Sequence, residues 1–95
     1  MKTINEYEVK PGADLRGADL RWMDLSDLDL REVDLSNANL INSKLIEARL
    51  NNANLKDANL TSADLTNSML INAKLINTIL EGVILNNAVF HNTKI

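Results

Sequence analysis

Ninety-five residues with a formal charge of −3 and no cysteine describe one small domain that has neither a disulfide framework nor a cysteine-ligated metal site. Ten basic residues against thirteen acidic ones argue against the clustered Lys and Arg that phosphate contacts need, so no nucleic-acid partner is expected. No apolar run approaches the roughly 20 residues of a membrane span, and the start of the chain lacks the apolar core of a secretory leader, which together predict a soluble, cytoplasmic protein.

The first twelve residues stand apart from the rest of the chain. Ile4, Tyr7 and Val9 are spaced to cover an apolar surface, and Pro11-Gly12 makes a turn. Residues 1–12 are therefore expected to cap the next part of the chain, packing on Trp22.

From Ala13 the sequence repeats every five residues. Leucine occupies position 15 and every fifth position through Leu85, fifteen in all, and Phe90 and Ile95 keep the phase. Two residues ahead of most of them stands a small residue, as in Ala13, Ala18, Ala38, Ala48 and Ala53. On a helix, five residues advance about 500°, which leaves successive leucines about 140° apart and makes no stripe. On a flat strand, an odd period throws alternate leucines onto opposite faces. The period is satisfied if the chain turns a corner once per pentad. The small residue and the leucine then face a common axis, the residue between them faces out, and the last two make the corner.

Asn52, Asn72 and Asn92 recur every twenty residues at corner positions, and Asn37 and Asn77 lie forty apart with Asp57 between them. Asparagine tolerates left-handed backbone angles and stacks in ladders. Twenty residues per turn at five per side predict a four-sided coil, with coils 13–32, 33–52, 53–72 and 73–92 and a fifth begun by Thr93 to Ile95. Parallel crossovers favour the right hand. The expected fold class is thus an all-β solenoid, a right-handed quadrilateral β-helix of about four coils spanning 13–95, behind an N-terminal cap, 1–12.

Ala13-Asp14-Leu15-Arg16-Gly17, Ala18-Asp19-Leu20-Arg21 and Ala53-Asn54-Leu55-Lys56-Asp57 resemble the A-(D/N)-L-x-x unit of the pentapeptide-repeat family. The resemblance covers nearly the whole chain and implies a four-sided right-handed β-helix. It also implies a source among bacteria, especially cyanobacteria, or their phages. About function it implies little. Quinolone-resistance relatives act as DNA-mimicking inhibitors of a type II topoisomerase, and that role is the alternative reading here. Acidic rods suit it, whereas this chain carries basic residues on the same walls as its acids.

Inside the coil, Met23, Leu28 and Val33 put bulk where alanine is usual, opposite Ser43, Ala48 and Ala53 one coil on, so large sits against small. Ser43, Ser68 and Thr78 also point inward by phase, and their hydroxyls are expected to bond to nearby backbone carbonyls.

Outside, the residue before each leucine changes along the chain. It reads Asp14, Asp19, Asp24, Asp29 and Asp34 at the start and Lys74, Ile79, Ile84 and Val89 at the end. The aspartates lie on different walls, cannot converge on one cation, and are expected to be structural. His91 is the one histidine, with no triad or metal-ligand spacing around it. No catalytic, cofactor-binding or metal residues are assigned, and no cofactor is expected.

The C-terminal end has a different character. Met69, Ile71, Ile76, Ile79, Ile84, Val89, Phe90 and Ile95 form an apolar collar around a coil whose lower face has no cover, and such patches mark interfaces. The expectation is a non-catalytic interaction or scaffold module, homodimeric through its C-terminal coils. A different protein partner, or a continuing solenoid, would cover the same surface.

Overall fold

The computed structural model describes residues 2–4 and 6–95. Met1 and Asn5, part of the expected capping segment, lie outside the described residues.

The backbone takes a left-handed corner at every fifth residue from Gly12 to Asn92, with φ between +55° and +75°. From Gly12 to Asn87 each such residue is third in a four-residue turn closed by the residue after it, as when the Ala18 N–H donates to the Leu15 carbonyl at 3.1 Å. Positive φ at the third position and not the second is the type II pattern. Eight of the corner residues are asparagine and three are glycine, the types that enter this region at least cost.

Between corners the walls are short, and one residue per wall pairs in parallel with the residue twenty further on: Asp14 with Asp34, Asn39 with Asn59, Asn54 with Lys74. Corners at every fifth residue and pairing at every twentieth make each turn of the coil four-sided. Leucine N–H groups donate to the coil ahead, as Leu35 does to Asn54 at 2.7 Å. Outward residues donate to the coil behind, as Asn54 does to Val33 at 2.9 Å.

The core is the leucine ladder. Leu15 through Leu70 are fully buried, and the alanines from Ala18 to Ala73 fill the space beside them. Val33 is buried in the same column, while Met23 and Leu28 are half-buried against it.

Ahead of the coil, strands β1 (Lys2–Ile4) and β2 (Tyr7–Val9) form an antiparallel hairpin with Thr3 opposite Glu8. Val9 is buried in the core cluster, and Ile4 and Tyr7 pack against it.

Two expectations are corrected. The hairpin does not pack on Trp22, which is 75% exposed. Val9 reaches the leucine core, whereas Trp22 occupies a corner (φ 64°) that holds its side chain off the axis. The inward hydroxyls also divide by residue type. Thr78 Oγ1 donates to the Leu55 carbonyl at 2.6 Å and Thr93 Oγ1 to that of Leu70 at 2.7 Å, but Ser43 Oγ and Ser68 Oγ have no partner among the described residues. Threonine's γ-methyl restricts χ1 and holds its hydroxyl on the coil behind, a restraint that serine lacks.

A buried hydroxyl without a partner is a net cost, so Ser68→Ala is expected to raise stability by about 1 kcal/mol. Trp22→Asn, which relieves a bulky left-handed corner, is expected to add about 1 kcal/mol as well. Urea midpoints followed by circular dichroism check both; a lower midpoint for either variant contradicts its account.

Candidate interaction surface

The outward residue of each pentad has two possible tasks, and the structure divides them along the axis. Towards the N-terminus it binds its own chain. Asp34 Oδ1 accepts from the Ser36 N–H at 3.0 Å, Asn54 Oδ1 from the Lys56 N–H at 3.1 Å, and Asp64 Oδ1 from the Thr66 N–H at 3.0 Å. This is an Asx turn, in which a short acceptor side chain stiffens the corner beyond it. Asp14, Asp19, Asp24 and Asp29 make the same bond to the residue two further on.

Three of these aspartates also hold an arginine. Arg16, Arg21 and Arg31 grip Asp14, Asp19 and Asp29 through two guanidinium nitrogens each, at 2.6 to 2.8 Å. The N-terminal coil is thus a set of closed ion pairs rather than a bare acidic ring. Among the described residues no group of three or more acidic, histidine or cysteine side chains can hold a metal ion.

Towards the C-terminus the outward position loses its acceptors. Ile79, Ile84 and Val89 have no group to offer the corner, and their side chains stand in solvent, as do Met69, Ile76 and Phe90. Ile71 is only half-exposed. Ile95 is 88% exposed.

By phase Leu85 belongs to the ladder, yet it is 38% exposed where Leu75 is 3% exposed. The periodicity gives every leucine the same inward direction, and only a neighbouring coil turns direction into burial. Leu85 and Phe90, with Leu60, Leu65, Leu70, Leu75, Leu80 and Ile95, line an axial hollow of about 200 Å³ that contains no polar wall. The apolar end is therefore both an outer collar and a central depression.

The electrostatics at the other end give a titration. The Arg16 guanidinium, helped by the Arg16 N–H, lowers the Asp14 carboxyl from 3.8 to about 2. Arg21 and Arg31 lower Asp19 and Asp29 by the same main cause. A carboxyl depressed in the folded state stabilises it fully above the unfolded value, and that contribution fades as pH falls through the folded one. For Asp14 the window runs from about pH 4 down to about 2. Arg16→Ala is expected to move the Asp14 carboxyl upward, toward 3.8, in a carbon-detected NMR titration. A carboxyl still near 2 in that variant would remove the guanidinium as the cause.

Comparison with known proteins agrees with this architecture. The family of pentapeptide repeats matches residues 13–52, 34–70 and 63–95, with 8 copies. Similar solved structures include alr5209, a pentapeptide repeat protein from Nostoc Pcc 7120, at 38% identity and TM-score 0.75, over 76% of this chain and 60% of that one. Rfr23 from the cyanobacterium Cyanothece 51142 matches at 35% identity and TM-score 0.65, over 95% and 68%. HetL, a pentapeptide repeat protein involved in heterocyst differentiation regulation in Nostoc sp. Strain PCC 7120, matches at 29% identity and TM-score 0.68, over 84% and 46%. The chain thus spans 60% of the length of alr5209 and 46% of that of HetL. Among curated proteins none matches. With the repeat matched from residue 13 to residue 95, the chain belongs to the pentapeptide-repeat family, whose proteins form right-handed quadrilateral β-helices.

Proposed function

We propose that this protein is a non-catalytic, cytoplasmic interaction module: a solenoid of about four coils, capped at its N-terminus by the hairpin and self-associating through its C-terminal coil. The observation that carries the reading is the clustering of exposed hydrophobics. Ile79, Ile84, Val89, Phe90 and Ile95 are exposed on and around one coil, beside the apolar axial hollow. A contiguous surface of this kind costs solubility unless a partner covers it.

The size of the surface sets the strength. The molecule is about 22 Å across its shorter axes. An end face of that width buries less than the roughly 1,600 Å² of a standard interface, so a reversible dimer is expected rather than an obligate one. The chemistry of the other walls supports a binding role. On the N-terminal walls Asp14, Asp19 and Asp29 are engaged in corner bonds and arginine ion pairs, which is a structural use of a carboxylate and not the placement of an acid or base for reaction. The regulatory involvement of HetL fits a role exerted through binding.

Light scattering across a concentration series tests the reading. The wild type is expected to shift from monomer to dimer in the micromolar range. Ile79→Lys combined with Ile84→Lys is expected to remain monomeric with an unchanged circular dichroism spectrum. A wild type that stays monomeric throughout the series would sink self-association, and a double variant that still dimerises would move the interface off the collar.

A further inference from the structure

The bonds between coils are directional, and the two ends of the solenoid inherit that direction. In a pentad inside the stack, three N–H groups bond to neighbouring coils, two pointing ahead and one behind. Leu55 donates to the Lys74 carbonyl at 2.8 Å, Asp57 to that of Ile76 at 3.0 Å, and Asn54 back to that of Val33 at 2.9 Å. The leucine and the corner residue therefore supply donors to the C-terminal side at twice the rate at which donors point the other way.

At the last coil the forward donors run out of acceptors. The N–H groups of Leu80, Gly82, Leu85, Asn87, Phe90 and Asn92 have no backbone acceptor among the described residues. Fewer carbonyls of forward phase, those of Thr78, Val83, Ala88 and Thr93, stand beside them without a backbone donor among the described residues. The first coil shows the reverse. There the carbonyls of Asp14, Arg16, Arg21, Ser26 and Asp29 accept no backbone bond among the described residues.

Two C-terminal edges facing each other set donor against donor, so a C-terminal dimer joins through its apolar side chains and gains no backbone bonds. A C-terminal edge facing an N-terminal one matches donor to acceptor across each wall, and it brings one leucine ring onto another. The covering element on the N-terminal side is the hairpin. It consists of two three-residue strands held by Val9 in the core, with Ile4 and Tyr7 half-buried beside it. A lone two-stranded hairpin is marginal in water, so its place depends on those apolar contacts.

We infer that the hairpin is a stop against head-to-tail stacking: when it is displaced, the N-terminal edge of one copy docks on the C-terminal edge of the next. Such a contact is heterologous, and along a straight axis it does not close, so the product is a linear polymer. Covering a free strand edge is a known way for β-proteins to prevent such growth. The inference rests on the reading of the last coil as a docking end. It adds the surface complementary to that end and the element that blocks it.

The test releases the hairpin in the full chain, with Val9→Asp and Tyr7→Ser together in one variant and Ile4→Asp alone in a second. Either variant is expected to keep the solenoid's circular dichroism while its weight-average mass in light scattering rises at least about fivefold with concentration, as an open assembly requires. Leu85→Lys added to the released chain is expected to abolish that growth. Folded, released chains that keep the wild-type mass overturn the inference. So does growth that Leu85→Lys leaves untouched, which is unspecific aggregation. Loss of the solenoid in both release variants also overturns it, because the hairpin is then part of the fold and not a stop. A monomeric wild type beside polymerising release variants would refute the C-terminal dimer while upholding the stop.

Discussion

Everything in this molecule depends on a backbone that enters the left-handed region once in five residues. A left-handed residue costs most side chains about 1–2 kcal/mol, and here the cost recurs at every corner from Gly12 to Asn92. Asparagine, glycine and aspartate reduce it at most corners, and the Asx turn from the preceding outward residue stiffens many of them. Trp22, Glu32 and Glu47 show that the rest is imposed rather than preferred. None of these three favours positive φ, but each donates its N–H to the coil ahead, to Ile41, Asn51 and Thr66 respectively. Bonding between coils therefore overrides local preference wherever a neighbour is in place.

The same corner decides where side chains go. By turning once per pentad it sends every leucine to the axis and every second-position residue outward, so the interior is uniform and the exterior is free to vary. That freedom is used unevenly. The N-terminal coil fills its outward positions with aspartates that bind a corner N–H and, in three cases, an arginine. The last coil gives up those bonds and shows isoleucine and valine to solvent. A loss of corner support at the end with the most exposed apolar surface is hard to explain as stabilisation of the isolated chain. It is consistent with a surface that another protein completes.

Side chains are only half of the contrast between the ends. Because two of three inter-coil donors in a pentad point the same way, a parallel solenoid of this kind cannot have equivalent edges, whatever its side chains. One edge is rich in N–H groups and the other in carbonyls. An antiparallel sheet alternates donors and acceptors along each edge and escapes this asymmetry. The hairpin at the carbonyl-rich edge, built as an antiparallel pair, is thus a different kind of structure from the coil it sits beside.

The sequence by itself determined the period, the inward direction of Leu15 through Leu85, the corner positions and the drift from aspartate to isoleucine along the walls. Each of these depends only on spacing, because a helix and a flat strand both fail to gather residues five apart. What the tertiary structure decided was everything that depends on a neighbour. Leu85 points inward like Leu50, but it is exposed where Leu50 has a coil of the described residues on each side. Ser43 and Thr78 share a phase, yet only the threonine reaches a carbonyl of another coil. Trp22 lies close in sequence to the hairpin but stands in solvent. The direction of the inter-coil bonds, and with it the unlike chemistry of the two ends, has no signature in residue types at all. It is a property of the backbone once wound, since every amide is the same until the coil gives it a side to face.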